Sequence, residues 1–278
     1  MALSIAQVRA FQKQGYVTAP HFFNAREVAA LQAEVERLQR EGILRNVATS
    51  GDGVTASQEK ANLQICPMSP HSTLIRALPF EPKVVAAVTS LIGERVLLHL
   101  DQCFLKPAQH GSGTNWHQDN AYFKVADPWK GVAMWIAVHD ASVANGTLHV
   151  IPGLVNQELP HGRDPESNHH IRCHPSEEHA VPLELEAGGV AFFAYGTPHS
   201  TRGNTTGKDR AGIAFHFLHV DFATTEEFTG APLAQRKHPL LSGPGALGGV
   251  QEYGVPVAGT WAREVECALE RQEVPAVR

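Results

Sequence analysis

The pattern of apolar and polar positions changes near residue 95. Before it, apolar residues recur every three to four positions, as on one face of an amphipathic helix, and the stripe over 28–38 shows this most clearly. After it, short apolar runs alternate with Gly, Pro and Asn, as in strands joined by turns. The pattern predicts one domain over 1–278, with a helical entry over 1–94, a β core over 95–220 and a loop-rich tail over 221–278.

Capping patterns set the ends of the predicted helices. Ser4 and Gln7 fit a capping box that begins a first helix, which Gly15 would end. The same box recurs at Asn24 and Glu27, ahead of the apolar stripe. A third helix is predicted over 82–92, and a polar loop over 46–62.

Several short apolar runs after residue 95 are candidate strands. Asn145 and Gly146 lie between two of these runs and are typical of a tight hairpin turn. Strands at this spacing favour a barrel or a sandwich. The candidate strands cover residues 95–108, 131–141, 146–153, 180–185, 189–195 and 210–220.

Composition narrows the class of protein. The net charge of −5 over 278 residues argues against a nucleic-acid partner. The four cysteines form no C-x-x-C pair, which is typical of a reducing compartment. We find no apolar segment typical of a secretory leader or a membrane span, so we expect a cytoplasmic protein that binds a small molecule and no membrane. The sequence does not predict an oligomeric state.

The chain is rich in histidine, with 16 in all, which prompts a search for a metal site. In a strand, the residues of an H-x-D triplet point to the same face and can offer an imidazole and a carboxylate to one cation. Chance alone would give roughly half of one such triplet at this composition. The chain has three, namely His99–Asp101, His117–Asp119 and His219–Asp221.

The context of two of these triplets favours a structural role. His99 and Asp101 lie within a long apolar run with no glycine nearby. His219 and Asp221 lie at the end of a predicted strand, and the only later histidine is His238, in a Pro-rich segment. Both pairs are therefore predicted to be structural.

The context of the third triplet favours a metal site. His117 and Asp119 follow a Gly-rich segment over 110–116, and GTPHSTRGN supplies His199 eighty positions after Asp119. Two histidines and one carboxylate form the facial triad that holds non-haem Fe(II) and leaves coordination positions open. The same three residues could also hold Zn²⁺.

The segment from about residue 95 to 220 resembles the phytanoyl-CoA dioxygenase family of Fe(II)/2-oxoglutarate oxygenases. The resemblance is carried, in order, by TNWHQDNAYF, ANGTLHVIPG and GTPHSTRGN, and then by RAGIAFHFL, which begins at Arg210. The N-terminal FQKQGYVTAPHFFNAREVAALQAEV also resembles the helical entry of that family. The ordered combination is more specific than any of its parts.

The resemblance implies the ligands of each cofactor. His117, Asp119 and His199 would hold Fe(II), and Arg210 would bind the distal carboxylate of the cosubstrate 2-oxoglutarate, because a planar guanidinium matches a carboxylate. Further cosubstrate contacts are implied for Thr201, Trp135, Lys106 and Gln102. Gly212 and Ala214 share a strand face with Arg210 and would leave room for the cosubstrate.

The resemblance also implies a fold and an activity. The fold is mainly β, a double-stranded β-helix or jelly-roll with buttressing N-terminal helices and the iron at the mouth between two sheets. The activity is hydroxylation of a C–H bond with consumption of O₂ and 2-oxoglutarate and release of succinate and CO₂. No side chain beyond the iron ligands is required as a catalytic acid or base.

The substrate is the most open part of the prediction. The segment 161–179 carries Arg163, Arg172 and several histidines, and Tyr122 and Lys124 follow the metal motif. If this segment covers the iron, it suits a small polar or anionic substrate; otherwise it is a solvated loop. Two alternatives stay open: the same chemistry on an acyl-CoA or a secondary metabolite, and a non-catalytic jelly-roll protein that binds a metal.

Overall fold

The computed structural model describes residues 3–223 and 238–273, and its core is two facing antiparallel sheets. The helices are α1 (Ile5–Gln14), α2 (Ala25–Arg40), α3 (Thr73–Ala77), α4 (Pro82–Ile92), α5 (Asn120–Phe123), α6 (Val250–Tyr253) and α7 (Trp261–Glu273). The first strands are β1 (Tyr16–Ala19), β2 (Arg45–Asn46), β3 (Leu63–Ile65), β4 (Val96–Lys106), β5 (Thr114–His117), β6 (Gly131–Ala137) and β7 (Leu148–Val150). The remaining strands are β8 (Gly162–Arg163), β9 (Ile171–Arg172), β10 (Val181–Leu183), β11 (Val190–Ala194), β12 (His199–Thr201) and β13 (Arg210–His219).

The larger sheet has seven strands in the order β1-β11-β6-β13-β4-β3-β2. Its outer face packs on the helices, and apolar side chains of α1, α2, α4 and α7 form one buried cluster with those of β4, β6, β11 and β13. Strands β6, β11 and β13 are buried along almost their whole length, as expected for strands covered on both faces.

The smaller sheet has four strands in the order β10-β7-β12-β5. Its inner face meets that of the larger sheet, because Leu148, Val150 and Leu183 share a buried cluster with Trp135 and Ala214. Two facing antiparallel sheets with helices on one side confirm the predicted jelly-roll with buttressing helices.

The predicted helix ends are confirmed where capping set them. Ser4 and Asn24 each cap a helix with a full capping box, and Gly15 ends α1 at a φ of 85°. The entry over 1–94, predicted as helices with a polar loop over 46–62, also supplies β1, β2 and β3 to the larger sheet, which the sequence analysis did not predict. These strands are only two to four residues long, too short for a period-two pattern to stand out.

The Asn145–Gly146 turn forms, with Gly146 at a φ of 78°, but it does not close a hairpin. The strand before it, β6, pairs with β11 and β13, whereas the strand after it, β7, pairs with β10 and β12. The turn therefore carries the chain from the larger sheet to the smaller one.

None of the helices in the described part of the chain is both long and apolar enough to cross a membrane.

Candidate active site

Pairing of β5 with β12 brings the predicted metal ligands together. His117 ends β5, His199 begins β12, and the two residues are opposite each other in the register. Asp119 follows two residues after His117, at the start of α5. One ligand atom from each of the three residues lies within 4.8 Å of the others. This spacing suits three ligands on one face of a metal ion.

Both histidines are held in the tautomer that a metal requires. Nδ1 of His117 lies 2.8 Å from the carbonyl oxygen of Asn115, and Nδ1 of His199 lies 3.0 Å from that of Thr197. Because a carbonyl oxygen can only accept, each Nδ1 carries the proton and donates it. Each Nε2 is left with a lone pair for the metal, and the backbone fixes the ring orientation.

The protonation states of the His117 imidazole and the Asp119 carboxylate also suit metal binding. Burial, followed by the nearness of His199, lowers the pKa of His117 to about 3, so this imidazole is neutral at physiological pH. Burial by itself would raise the pKa of Asp119, but the neighbouring His199 and His216 hold it below its usual value. Two neutral imidazoles and one carboxylate are a donor set that fits Fe(II) or Zn²⁺.

A fourth residue, His216, belongs to this cluster and was not assigned a role from the sequence. Its Nε2 lies 3.2 Å from Oδ2 of Asp119. The other carboxylate oxygen, Oδ1, lies 3.8 Å from Nε2 of His117 and 3.6 Å from Nε2 of His199. His216 therefore occupies one oxygen of Asp119 and leaves the other for the metal. Its position on the same face of β13 as Arg210 was the one signal for this contact.

Beside the triad lie two buried cations, Arg210 and Lys106. They are opposite each other on β13 and β4, and each is 1% exposed. The Lys106 ammonium donates to the carbonyl oxygens of Ser112 and Arg202, and the Arg210 guanidinium to those of Asn145 and Gly146. No carboxylate in the described ranges lies within 4.0 Å of either cation.

Burial without a counter-ion changes the pKa of both cations. It lowers the pKa of Arg210 to about 10 and that of Lys106 well below its usual value, with Arg210 adding to the effect on Lys106. A buried charge is costly unless an opposite charge compensates it. The pair of cations is therefore chemically suited to an anionic ligand.

Two other predicted cosubstrate contacts join the same cluster. The Thr201 hydroxyl accepts a hydrogen bond of 2.8 Å from Lys106 and lies two residues after His199 on β12. The Trp135 ring lies 5.6 Å from the guanidinium carbon of Arg210. A Cβ on Gly212 would come within 2.6 Å of this indole, so the room above Gly212 is filled by Trp135 and the expectation of free space there was wrong.

A cavity of about 820 Å³ opens from the triad. His117, Asp119 and His216 form part of its wall, together with Gln102 on β4. Gln102 is the one predicted cosubstrate residue on this wall, and its Oε1 accepts a hydrogen bond of 3.0 Å from Gln64. The remaining lining comes from Leu100 and Phe104 on β4, from Thr114 on β5, from α5, from β2 and β3 with their flanking residues, from the turn near Pro70, and from His169 and His170.

The histidine-rich segment covers the cavity, but its arginines face elsewhere. His169 and His170 line the cavity, as does Tyr122. The Arg163 guanidinium donates to the carbonyl oxygens of Gly53, Asn168 and His170, and Arg172 lies 4.0 Å from Asp164. Lys124 lies 3.8 Å from Glu158. None of these three cations is among the described residues that line the cavity.

The two remaining H-x-D pairs have the structural roles expected of them. Oδ1 of Asp101 accepts the backbone N–H groups of Met68 and Ser69, at 2.6 and 2.7 Å. Nδ1 of His99 lies 3.1 Å from the Tyr195 hydroxyl.

The His219–Asp221 pair forms local contacts at the end of β13. The His219 side chain accepts the backbone N–H of Asp221, whose carboxylate pairs with Arg95 at 2.7 Å. Neither this pair nor the His99–Asp101 pair contributes to the three-residue metal cluster.

Comparison with known proteins indicates the same family as the sequence motifs. The family model for phytanoyl-CoA dioxygenase matches residues 11–212. An ectoine dioxygenase of Bordetella parapertussis is 26% identical over 231 residues, covering 76% of this chain and 74% of that protein.

Solved structures share the fold. EctD from S. alaskensis, with 2-oxoglutarate and 5-hydroxyectoine, aligns at a TM-score of 0.65 and 23% identity, covering 88% of this chain and 86% of that one. The 2-oxoglutarate-dependent epimerase SnoN from nogalamycin biosynthesis aligns at 0.69 and 22% identity, covering 86% and 98%. With a family model that spans most of its length and a buried His-Asp-His cluster, the chain belongs to the phytanoyl-CoA dioxygenase family of Fe(II)/2-oxoglutarate-dependent oxygenases.

Proposed function

We propose that this protein hydroxylates a C–H bond of a small polar molecule, using Fe(II) held by His117, Asp119 and His199. The observation that carries the proposal is the triad, two of whose residues line a cavity of about 820 Å³, together with two buried cations without counter-ions, one of which bonds Thr201 on the strand of His199. When bound, the iron supplies O₂ activation coupled to the oxidative decarboxylation of 2-oxoglutarate to succinate and CO₂.

The protein residues hold and orient the reactants. Arg210 and Lys106 would bind the distal carboxylate of 2-oxoglutarate, and the Thr201 hydroxyl would donate to it once Lys106 turns to the ligand. Thr201 lies two residues beyond His199 on one strand face, so about 7 Å separates their backbones. A five-carbon diacid can span that distance. Trp135 packs beside Arg210 and would wall the cosubstrate off from water.

The size and lining of the cavity favour a small substrate. Pockets of roughly 300–1,000 Å³ bury a drug-sized molecule, whereas a long acyl chain needs a continuous apolar groove. Here histidine and glutamine side chains interrupt the apolar lining. The relatives named ectoine dioxygenase make ectoine one member of a test panel. A cytoplasmic location and the lack of a nucleic-acid partner stay predictions of the sequence.

The test is succinate formation by the Fe(II)-loaded protein with 2-oxoglutarate, screened over amino acids, small carboxylates, ectoine and acyl-CoA esters. His117→Ala, Asp119→Ala and His199→Ala should each abolish tight Fe(II) binding, measured by equilibrium dialysis, and with it turnover. His149→Ala is the matched control, because this histidine lies on the neighbouring strand β7 outside the metal cluster. Zinc binding without any 2-oxoglutarate turnover would instead support the non-catalytic metal-binding alternative.

A further inference from the structure

One wall of the cavity contains a row of side chains across three neighbouring strands. Arg45 of β2 is opposite Gln64 of β3, and Gln64 is opposite Phe104 of β4. Residues opposite each other in an antiparallel pair share a face of the sheet. All three residues line the cavity, and the row continues to Gly212 of β13, beside the Trp135 indole.

Arg45 is an exposed cation at the outer end of this row, and nothing in the described ranges neutralises it. No described carboxylate lies within 4.0 Å of its guanidinium, and no hydrogen bond to that group is found there. Apart from histidines, Arg45 and Asp119 are the charged residues among the described lining, and Asp119 belongs to the metal cluster. The cavity therefore offers a carboxylate one cation.

Gln64, next in the row, offers a hydrogen-bond acceptor. Its side chain is 6% exposed, and its Nε2 donates to Oε1 of Gln102. The remaining polar atom, Oε1, is buried without a hydrogen-bond partner. Leaving a buried acceptor without a donor is unfavourable, so a ligand that donates an N–H or O–H to it gains affinity.

Apolar side chains form part of the lining outside this row. Leu100 on β4, which is opposite His216, and Phe123 on α5 also line the cavity. Such a surface suits the carbon body of a ligand whose polar groups are held at the row.

We infer, on the basis of the proposed function, that the substrate is a small zwitterionic acid whose carboxylate binds Arg45 and whose ammonium or other N–H group donates to Gln64 Oε1. This arrangement holds the polar end near β2 and β3 and turns the carbon skeleton towards the iron ligands. An acyl-CoA would bring several phosphate charges, and the described lining offers them one arginine and no lysine.

The experiment measures binding separately from turnover. The protein with Fe(II) and 2-oxoglutarate is titrated without oxygen, following the visible charge-transfer band. The probes are cyclic and linear amino acids, their primary amides, their fully N-methylated betaines, and acetyl-CoA. We expect amino acids to perturb the band at the lowest concentrations, and both the amides and the betaines to bind on the order of tenfold more weakly, because each lacks one charge-assisted contact.

Two variants assign these losses to residues. Arg45→Gln should weaken amino-acid binding about tenfold and leave the amides unaffected, whereas Gln64→Met should weaken amino acids and leave the betaines unaffected. Arg40→Gln, at an exposed arginine on α2 that does not line the cavity, is the matched control and should bind every probe as the parent protein does.

The outcomes distinguish failure of the zwitterion inference from failure of the proposed oxygenase function. If the charge-transfer band forms but the amides bind as well as the acids, or if Arg45→Gln binds both equally to the parent protein, the zwitterion inference is overturned while the oxygenase function stands. If no band forms with Fe(II) and 2-oxoglutarate, the proposed function fails first. Tighter binding of acetyl-CoA than of any amino acid would also overturn the inference.

Discussion

At the scale of single residues, the cluster around Asp119 shows how a carboxylate is kept as a one-oxygen ligand. His216 occupies Oδ2 at 3.2 Å, while Oδ1 faces the two other histidines. A partner behind a ligand fixes its orientation, and losing such a partner typically costs 10–100-fold in metal affinity. Gln can place an amide N–H near the position of the His216 Nε2, whereas Leu cannot donate.

His216→Leu should therefore bind Fe(II) roughly 10–100-fold more weakly, and His216→Gln should recover most of that loss. Dialysis against Fe(II), with Co(II) spectra as a check of ligand geometry, measures the effect. Equal metal affinity in the Leu variant and the parent protein would mean that His216 only fills space.

Arg210 is buried without a counter-ion, so its removal should weaken the binding of an anionic cosubstrate. Arg210→Ala should weaken 2-oxoglutarate binding by roughly 2–5 kcal/mol and leave Fe(II) affinity nearly unchanged. The rise in melting temperature that 2-oxoglutarate gives the parent protein should vanish with it. Arg202→Ala is the control, since Arg202 is half exposed and paired with Glu177. An unchanged 2-oxoglutarate titration in the Arg210 variant would contradict the assignment.

At the scale of elements, one buried carboxylate ties three helices together. Glu27 on α2 accepts hydrogen bonds from Lys83 of α4, at 2.6 and 2.7 Å, and from the Trp261 indole of α7, at 2.7 Å. Burial alone would raise the pKa of Glu27, but the bonds from Lys83 and Trp261 bring it below its usual value. Its stabilising effect is thus present above the unfolded-state pKa and lost as the pH falls.

Glu27→Gln should lower the free energy of unfolding by about 3 kcal/mol at neutral pH, because the Lys83 ammonium loses its buried partner. Glu266→Gln is the matched control, since its exposed pair with Arg26 also joins α2 to α7 and should be worth less than about 1 kcal/mol. Urea denaturation of both variants measures the difference. Equal losses would show that burial of the Glu27 pair contributes nothing.

The elements also show what sequence patterns can and cannot predict. Helix ends were predictable because a capping box is local and needs only Asn24 and Glu27, three residues apart. Strand β1 was not, because its partner β11 lies about 170 residues later and only that pairing makes Tyr16–Ala19 a strand. The Asn145–Gly146 turn was predicted correctly as a turn, but which sheet each flanking strand joins is decided by distant partners.

At the scale of the whole molecule, the residues of the site also differ in whether a local sequence pattern or only long-range strand pairing places them there. His117 and Asp119 were found from their two-residue spacing, although Asp119 lies beyond the end of β5 at the start of α5 and not on the same strand, and family resemblance supplied His199. Arg45 and Gln64 carry no such signal. They reach the cavity because β2 and β3 extend the edge of the larger sheet, and that register is set by long-range pairing with β4.

Two distant segments form a single cover over the cavity. The backbone N–H of Thr49 donates to Glu166, that of Asn168 to Val47, and that of Gly53 to Pro165. These bonds join the segment 46–56 to the segment 162–170, which presents His169 and His170 to the cavity. The cover is held from within by Arg163, whose guanidinium bonds carbonyl oxygens of both segments.

Arg163→Ala should loosen this cover, because at least three carbonyl oxygens lose a charged donor and each such bond contributes roughly 1.5–3 kcal/mol. Hydrogen exchange should become faster in 46–56 and 162–170, and more 2-oxoglutarate should be consumed without product, since water reaches the iron site. The affinity for 2-oxoglutarate should stay constant, because the hydrogen bonds found for the Arg163 guanidinium in the described residues go to Gly53, Asn168 and His170 and to none of the cosubstrate residues. Arg172→Gln is the control, since among the described residues Arg172 pairs with Asp164 and no hydrogen bond or ion pair joins its side chain to the segment 46–56. If Arg163 instead bound the substrate directly, its loss would weaken carboxylates more than their amides and leave hydrogen exchange unchanged.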